Sequence, residues 1–479
     1  MQASRMTAAN FGEEHFGRAQ LGDVRRERRL VSLANQMAKH PGGTLPDKVR
    51  NPAHLKALYR LMDNDAVTHQ RVLQSHVGRT LDRMRAHEGV VLNIHDTTEL
   101  DYSGLISLRE VLGQIGNGGG RGYKCHNSLA VTAESREVLG LTHQILFCRP
   151  RVPKGEKKSV RHKRTTRESR LWKQGSEALP AAPVGRLWVD VADRGADTTE
   201  FLDFEETQGK KYLVRSQHNR WVLGGHDGDT EVSQCHDDGT ARVKLHDWLR
   251  TLPEEGRRTV NVPARGGQSA RKAEVGVAWG SVRVLPPRQP RGDERGAPLA
   301  VWAVRVWELD PPANVKEPLE WILLTNVPVQ AFEDACERLD WYACRWIVEE
   351  YHKAMKTGCG IETMEFTKQE RLQPAIALVS VLAIFLLTLR DSSRRSDANQ
   401  RLARELIPAE YVAVLSAWRF QMPDRDLTVH EFYFALARLG GHQNRKHDHP
   451  PGWLVLWRGW TQLHAMVEGA LAMGGIRCG

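Results

Sequence analysis

The stretch "YACRWIVEEYHKAMKTG" (342–358) would place a tyrosine, an arginine, a glutamate and a lysine along one line if it is helical. At about 100° per residue, Tyr342, Arg345, Glu349 and Lys356 fall at roughly 0°, −60°, −20° and −40° around the axis. Ile347, Tyr351, Ala354 and Met355 fall on the opposite side, so the spacing predicts one amphipathic helix facing a core. Gly358 is the expected C-terminal stop. A solvated charged face with chance i,i+4 pairs accounts for such a stripe. A site for an acidic ligand does so too, since one carboxylate sits among three polar or basic groups with Trp346 beside them.

Two further acids frame this reading. "VVLNIHD" (90–96) and "RLWVDVADRGAD" (186–197) are apolar runs that end on acids, Asp96 and Asp193. Strand ends and adjoining helices are where α/β folds place active residues. Carboxylates gathered from positions as separated as Asp96, Asp193 and Glu349 need cations to balance them, and an all-oxygen donor set suits Mg²⁺ or Mn²⁺. Two ions about 3.5–4 Å apart can clamp the attacking and leaving oxygens of a phosphodiester. A strand-terminal aspartate can equally be a helix cap or turn former. Asp190 and Asp197 compete with Asp193, although strand alternation turns Asp190 to the other face.

The rest of the chain reads in blocks. Residues 1–69 are helical by pattern, with "LVSLANQMAKH" and "PAHLKALYRLMDN" as short amphipathic segments. Arg25, Arg26, Arg28, Arg29, Lys39 and Arg60 make this stretch a plausible DNA-binding head. After a helix at 70–86, residues 70–391 form an α/β region. Within it, "SLAVTAESREVLGLTHQILFC" (128–148) reads as a hairpin turning at Ser135–Arg136, and "KYLVRSQH" (211–218) as a strand carrying Arg215. Residues 220–315 read as an inserted β region of Val-rich runs such as "ARVKLHDW", and "WILLT" (321–325) returns to the core. From 392 the chain is expected to be helical to its end.

At 479 residues the chain allows roughly three domains. No apolar run is expected to span a membrane; "IALVSVLAIFLLTL" (376–389) is short and reads as a buried helix. Seven scattered cysteines without a C-x-x-C pair indicate neither a disulfide framework nor a zinc site, and a reducing cytoplasm fits. The net charge of +10 is unevenly placed, because residues 149–173 alone carry eleven Lys/Arg against two Glu. Either a solvated basic loop or a polyanion contact surface accounts for that segment, and both favour a phosphate backbone.

With these residues assembled, the sequence resembles the bacterial cut-and-paste DDE transposases of the insertion sequence 4 family. The family's Tyr-x2-Arg-x3-Glu-x6-Lys spacing is met by Tyr342, Arg345, Glu349 and Lys356. "DTT" at Asp96, "ADRGAD" at Asp193, "RESRLW" (167–172) and "WILLT" at Trp321 are similar to its other blocks. "LGDVRRERRLVSLANQMAKHPG" resembles its DNA-binding head, and "LARLGG" with "WLVLWRGW" its C-terminal part. The resemblance implies an RNase H-like core with a β insertion, an N-terminal helical DNA-binding domain (1–69) and a C-terminal helical dimerisation domain (392–479). It implies a triad of Asp96, Asp193 and Glu349 holding two Mg²⁺, with Mn²⁺ as substitute. Tyr342, Arg345, Lys356 and Arg215 would contact DNA, and Trp321 would stack on a flipped base. The implied reaction hydrolyses transposon-end inverted repeats through a hairpin intermediate and joins them to target DNA. The partners are double-stranded DNA and a second copy of the chain, with no membrane, at the nucleoid. Gly195 stands where the family usually has Glu, and Gln217 where a Lys is common. An RNase H-like nuclease of another kind would share the triad without the Tyr–Arg–Lys spacing. A domesticated DNA-binding relative would be expected to lose an acid or the head, and this chain keeps both.

Overall fold

The computed structural model describes residues 10–150, 155, 166–224, 242–262, 271–286, 297–313, 315, 317–394, 397–445, 448 and 451–474. Most of the basic segment 149–173 lies outside the described residues, as do 225–241, 263–270 and 287–296 in the expected insertion.

The chain begins with five helices, α1 (Phe11–Phe16), α2 (Val24–Lys39), α3 (Leu45–Val49), α4 (Pro52–Met62) and α5 (His69–Ala86). Four strands follow, β1 (Val91–Asp101), β2 (Gly113–Gln114), β3 (Arg121–Thr132) and β4 (Val138–Phe147). Then come α6 (Leu171–Glu177), β5 (Trp188–Ala192), α7 (Thr199–Thr207), β6 (Lys211–Arg215), β7 (Trp221–Gly224), β8 (Arg242–Lys244) and α8 (Leu245–Thr251). Strands β9 (Gly256–Val262), β10 (Arg271–Val284), β11 (Leu299–Glu308) and β12 (Glu320–Thr325) lead to helices α9 (Phe332–Ala343) and α10 (Trp346–Lys353). The long α11 (Gln369–Arg394) precedes α12 (Ala409–Phe420), α13 (Val429–Leu439) and α14 (Trp453–Ala472). Helices and a large mixed sheet make this an α/β protein with a helical N-terminal region.

These elements fall into two compact units defined by contact rather than by chain order. One comprises Met1–His87, Thr97–Lys158 and Ile347–Gly479; the other comprises Glu88–Asp96 and Ser159–Trp346.

In the first unit, local signals set the helix starts. The Asp23 carboxylate accepts from the Arg25 N–H at 2.7 Å to cap α2, and Asn51 caps α4 just before Pro52. Helix α11 is the core of this unit, with Ile376 to Leu387 buried without interruption. Aromatic contacts tie both chain ends to it. Phe11 lies 5.7 Å from Phe385, Phe385 lies 6.0 Å from Trp460, and Trp460 stacks on Tyr411. Over Gln369–Thr388, α11 is long and apolar enough to cross a membrane by length and composition, with a mean hydropathy of 1.9. This corrects the expectation that no run reaches such a span: the helix is longer than the apolar run inside it. Since 83% of that window is buried within the protein, it has the character of a core helix.

Two buried histidines make the helical region sensitive to acid. His76 Nε2 accepts from the Leu141 N–H at 2.9 Å, so its proton sits on Nδ1, 2.8 Å from His15 Nδ1. Burial pushes His76 down to about 3, and the nearby Arg79 and Arg83 add to the effect. Burial, together with His76, also lowers His15. The unfolded chain therefore binds protons that the folded chain refuses between pH 6.5 and about 3. Stability is fully present above 6.5 and falls as the pH drops through that window. For His76 alone the loss by pH 5 is on the order of 2 kcal/mol. Urea midpoints followed by far-UV circular dichroism should be lower at pH 5 than at pH 7; coincident curves would refute it.

In the second unit, β1, β5 and β6 are parallel neighbours; β12 joins β6 antiparallel, and β11, β10, β7 and β8 continue outward, with β9 also pairing β10. "ARVKLHDW", expected as a strand, is one only over Arg242–Lys244 (β8); Leu245 to Trp248 open the helix α8. Its apolar residues Leu245, Trp248 and Leu249 recur at helical spacing and are buried.

Candidate active site

The site begins with the parallel register of β1 and β5. His95 pairs with Ala192, the last pair of the ladder. Asp96 and Asp193 are the next residues; β1 runs on to Asp101, so Asp96, expected to end its strand, lies within it, whereas Asp193 follows the last residue of β5. Asp193 also caps a short 3-10 turn, its Oδ1 accepting from the Gly195 N–H at 2.9 Å. That turn explains the glycine: a Cβ at 195 would meet the Trp172 ring at 2.3 Å and the Asp193 carboxylate at 3.0 Å. A glutamate there would displace one or the other.

Basic and aromatic side chains gather around the two aspartates in this unit. Arg345 donates to Asp96 Oδ2 at 3.2 Å and lies over the half-exposed Trp346. Arg215 pairs with Leu323 across the β6–β12 ladder, so Trp321 is its diagonal neighbour on the same face. The Arg215 guanidinium stands 5.9 Å from the Trp321 ring centroid, and the Tyr342 ring meets Trp321 edge-on at 5.3 Å. Burial raises the Tyr342 hydroxyl above its usual range, the charges of Arg345 and Arg215 oppose that shift, and Asp193 reinforces it. Burial depresses Arg215, and the like charges of Arg194 and Arg345 add to this. Crowded cations near two carboxylates are the kind of arrangement that attracts a polyanion. Arg194 belongs to this group and was not singled out from the sequence.

The competing acids are engaged elsewhere. Asp190 is buried, accepting from Asn93 at 2.6 Å and Ser176 at 3.1 Å and facing His95 Nε2 at 2.7 Å. Burial works against its ionisation, but the His95 hydrogen bond and charge outweigh it and keep the carboxyl below its ordinary range. Glu205 of α7, buried nearby, is pushed up to about 9 by burial and the Asp190 charge. Asp197 is fully buried, paired with Arg220 and accepting from the Gln217 and His218 N–H groups at 2.6 and 2.8 Å. Both acids support the strand ends from within. Sequence carried no sign of these partners, which lie up to 97 residues away.

Glu349 and Lys356 belong to the first unit. The expected single helix is broken: α9 ends at Ala343, and α10 begins at Trp346. At the break the Cys344 N–H is shared between Asp340 O and Trp341 O, and the Arg345 N–H tightens to an i→i−3 bond with Tyr342 O. Glu349 lies in the first turn of α10 and Lys356 in a π turn, Ala354–Gly358, where it pairs with Glu362 at 3.2 Å. The left-handed stop is Gly360 (φ 58°) rather than Gly358. Helix α10 is fixed by Tyr351, whose hydroxyl donates to Ser380 O, and by His352, 3.1 Å from Asn127. Among the described residues, the carboxylates and histidines grouped closely enough to share a metal ion are His40, His464 and Glu468.

In the N-terminal region, Arg25, Arg28 and Arg29 are exposed on one stripe of α2. Arg25 pairs with Asp23, and Arg26 donates to Leu21 O. Arg60 is exposed on α4, and Lys39 is half-buried at the end of α2.

Residues 8–67 match the family model described as transposase DNA-binding. The match spans Arg25, Arg26, Arg28, Lys39 and Arg60 and supports a DNA-binding transposase with DNA as its partner.

Proposed function

We propose that this chain is a cut-and-paste DDE transposase of the insertion sequence 4 family, similar to the transposon-5 transposase. It would bind transposon-end inverted repeats, cleave them by phosphodiester hydrolysis through a hairpin, and join them to target DNA. The observation that carries this reading is that Asp96 and Asp193 each come one residue after the last pair of the β1–β5 ladder, with Arg345 on Asp96 and Arg215 against Trp321. In this reading β1, β3–β6, β12 and the helices after them make up the RNase H-like core, and β7–β11 with α8 make up the insertion.

The two adjacent aspartates offer only oxygen donors, which fits Mg²⁺ or Mn²⁺. Asp96, Asp193 and Glu349 would hold two such ions, whose chemistry is to activate water and stabilise the leaving oxygen. Arg345, Arg215 and Tyr342 would hold the phosphates beside the scissile bond, and Lys356 would contribute a further charge. The Arg25, Arg28 and Arg29 stripe would bind the end sequence by phosphate contacts. A homodimer would pair two ends, with Trp418, Leu454 and Leu471 as exposed apolar material on the C-terminal helices.

The test uses a labelled duplex carrying the element's own terminal repeat. Purified protein should cleave it only with a divalent cation, and Asp193→Asn should bind the duplex but not cut it. Cleavage by Asp193→Asn at the wild-type rate would overturn the assignment.

A further inference from the structure

Helix α2 ends at Lys39, and His40 follows as its cap. Gly42 then lies flat on Trp457 of α14: a Cβ there would fall 2.0 Å from the indole. This close approach sets the His40 ring against His464 of α14, with centroids 4.3 Å apart and planes at 73°. Glu468 follows one helical turn after His464, and its Oε1 lies 3.0 Å from His464 Nε2. One ligand atom from each of His40, His464 and Glu468 lies within 4.8 Å of the other two.

Two details go beyond mere proximity. His464 Nδ1 is engaged by the Tyr411 hydroxyl, which orients the ring and directs Nε2 toward Glu468. Second partners of this kind hold metal-bound imidazoles in place. His40 is 5% exposed, and its Nδ1 is buried with no hydrogen-bond partner. An unpaired buried ring nitrogen is costly unless something binds it.

We propose that His40, His464 and Glu468 form a zinc-class transition-metal site that clips the end of α2 to α14, with a fourth position open to water beside the half-exposed Glu468. Two imidazoles and one carboxylate suit Zn²⁺ and disfavour Mg²⁺ or Ca²⁺. The charges of Lys39 and Arg50 oppose a cation here, while the Glu468 carboxylate favours it. The site is separate from Asp96 and Asp193 and does not rest on the reaction proposed for them.

The test is calorimetric titration of chelator-treated full-length protein with Zn²⁺, in millimolar Mg²⁺. Wild type should take up one tightly held Zn²⁺ per chain, and Co²⁺ in its place should give visible absorption of a four-coordinate ion. Glu468→Gln, a change on an exposed side chain, should weaken Zn²⁺ binding at least tenfold, as should His40→Ala. Asp193→Asn should leave it unchanged. Absence of Zn²⁺ uptake by wild type would overturn the proposal. So would a Zn²⁺ site kept by Glu468→Gln, or one lost in Asp193→Asn.

Discussion

Glu349→Gln is expected to lower strand cleavage by about 10³-fold or more while leaving binding of transposon-end DNA nearly intact. In the proposed reading the Glu349 carboxylate is a metal ligand, and ion clamps on a transferring phosphoryl group supply several kcal/mol of transition-state stabilisation. Losing about 4 kcal/mol of it slows the step roughly 10³-fold. Affinity for the ends rests on many Lys/Arg–phosphate contacts, which one neutral substitution elsewhere does not remove. The fold should tolerate the change. Helix α10 is anchored through Val348, Tyr351 and His352, which are buried, whereas Glu349 is half-buried in its first turn. Gel-shift and cleavage assays on one end-labelled duplex separate the two effects. Cleavage at the wild-type rate in Mg²⁺ by the purified variant would remove Glu349 from the triad.

The two strands that carry Asp96 and lead to Asp193 were legible because burial leaves a plain signature. Runs such as "VVLNI" and "LWVDVA" read as buried strands, and Asp193 marks where β5 ends; at Asp96 only the burial ends, because β1 continues to Asp101. The hairpin at 128–148 was legible for the same reason, and Arg136 with φ 58° supplies its turn. The helix break at Cys344 and Arg345 was not. Spacing at 100° per residue assumes an unbroken helix, and nothing local announces the i→i−3 bonds at Cys344 and Arg345. The break leaves Arg345 in the turn between α9 and α10, where it meets Asp96, 249 residues away in sequence. Asp190 and Asp197 show the same limit. Each looks like Asp193 in sequence, and only His95, Asn93 and Arg220 distinguish them. Helix α8 was misread because Val243 and Arg242 continue a strand pattern into a segment whose buried residues already follow helical spacing.

Trp321→Ala is expected to slow hairpin formation by about 5- to 150-fold while leaving the first nick close to the wild-type rate. Closing a hairpin at a duplex end bends one strand sharply, so a base must leave the stack at a cost of a few kcal/mol. An aromatic platform returns about 1–3 kcal/mol of that. Trp321 suits the task in its own unit: it is only half-buried, and it shares its face with Arg215. The edge of its ring contact with Tyr342 holds the indole without covering it. A core tryptophan would behave differently, because truncating a large buried aromatic costs about 3–5 kcal/mol of stability. Strand β12 already has Ile322, Leu323 and Leu324 fully packed, so the sheet does not depend on Trp321 for its core. Time courses on an end-labelled duplex resolve nick from hairpin, and a thermal melt of the same preparation reports packing. Equal slowing of both steps, with a melting temperature lowered by many degrees, would assign Trp321 to the core and leave the flipped base without a platform.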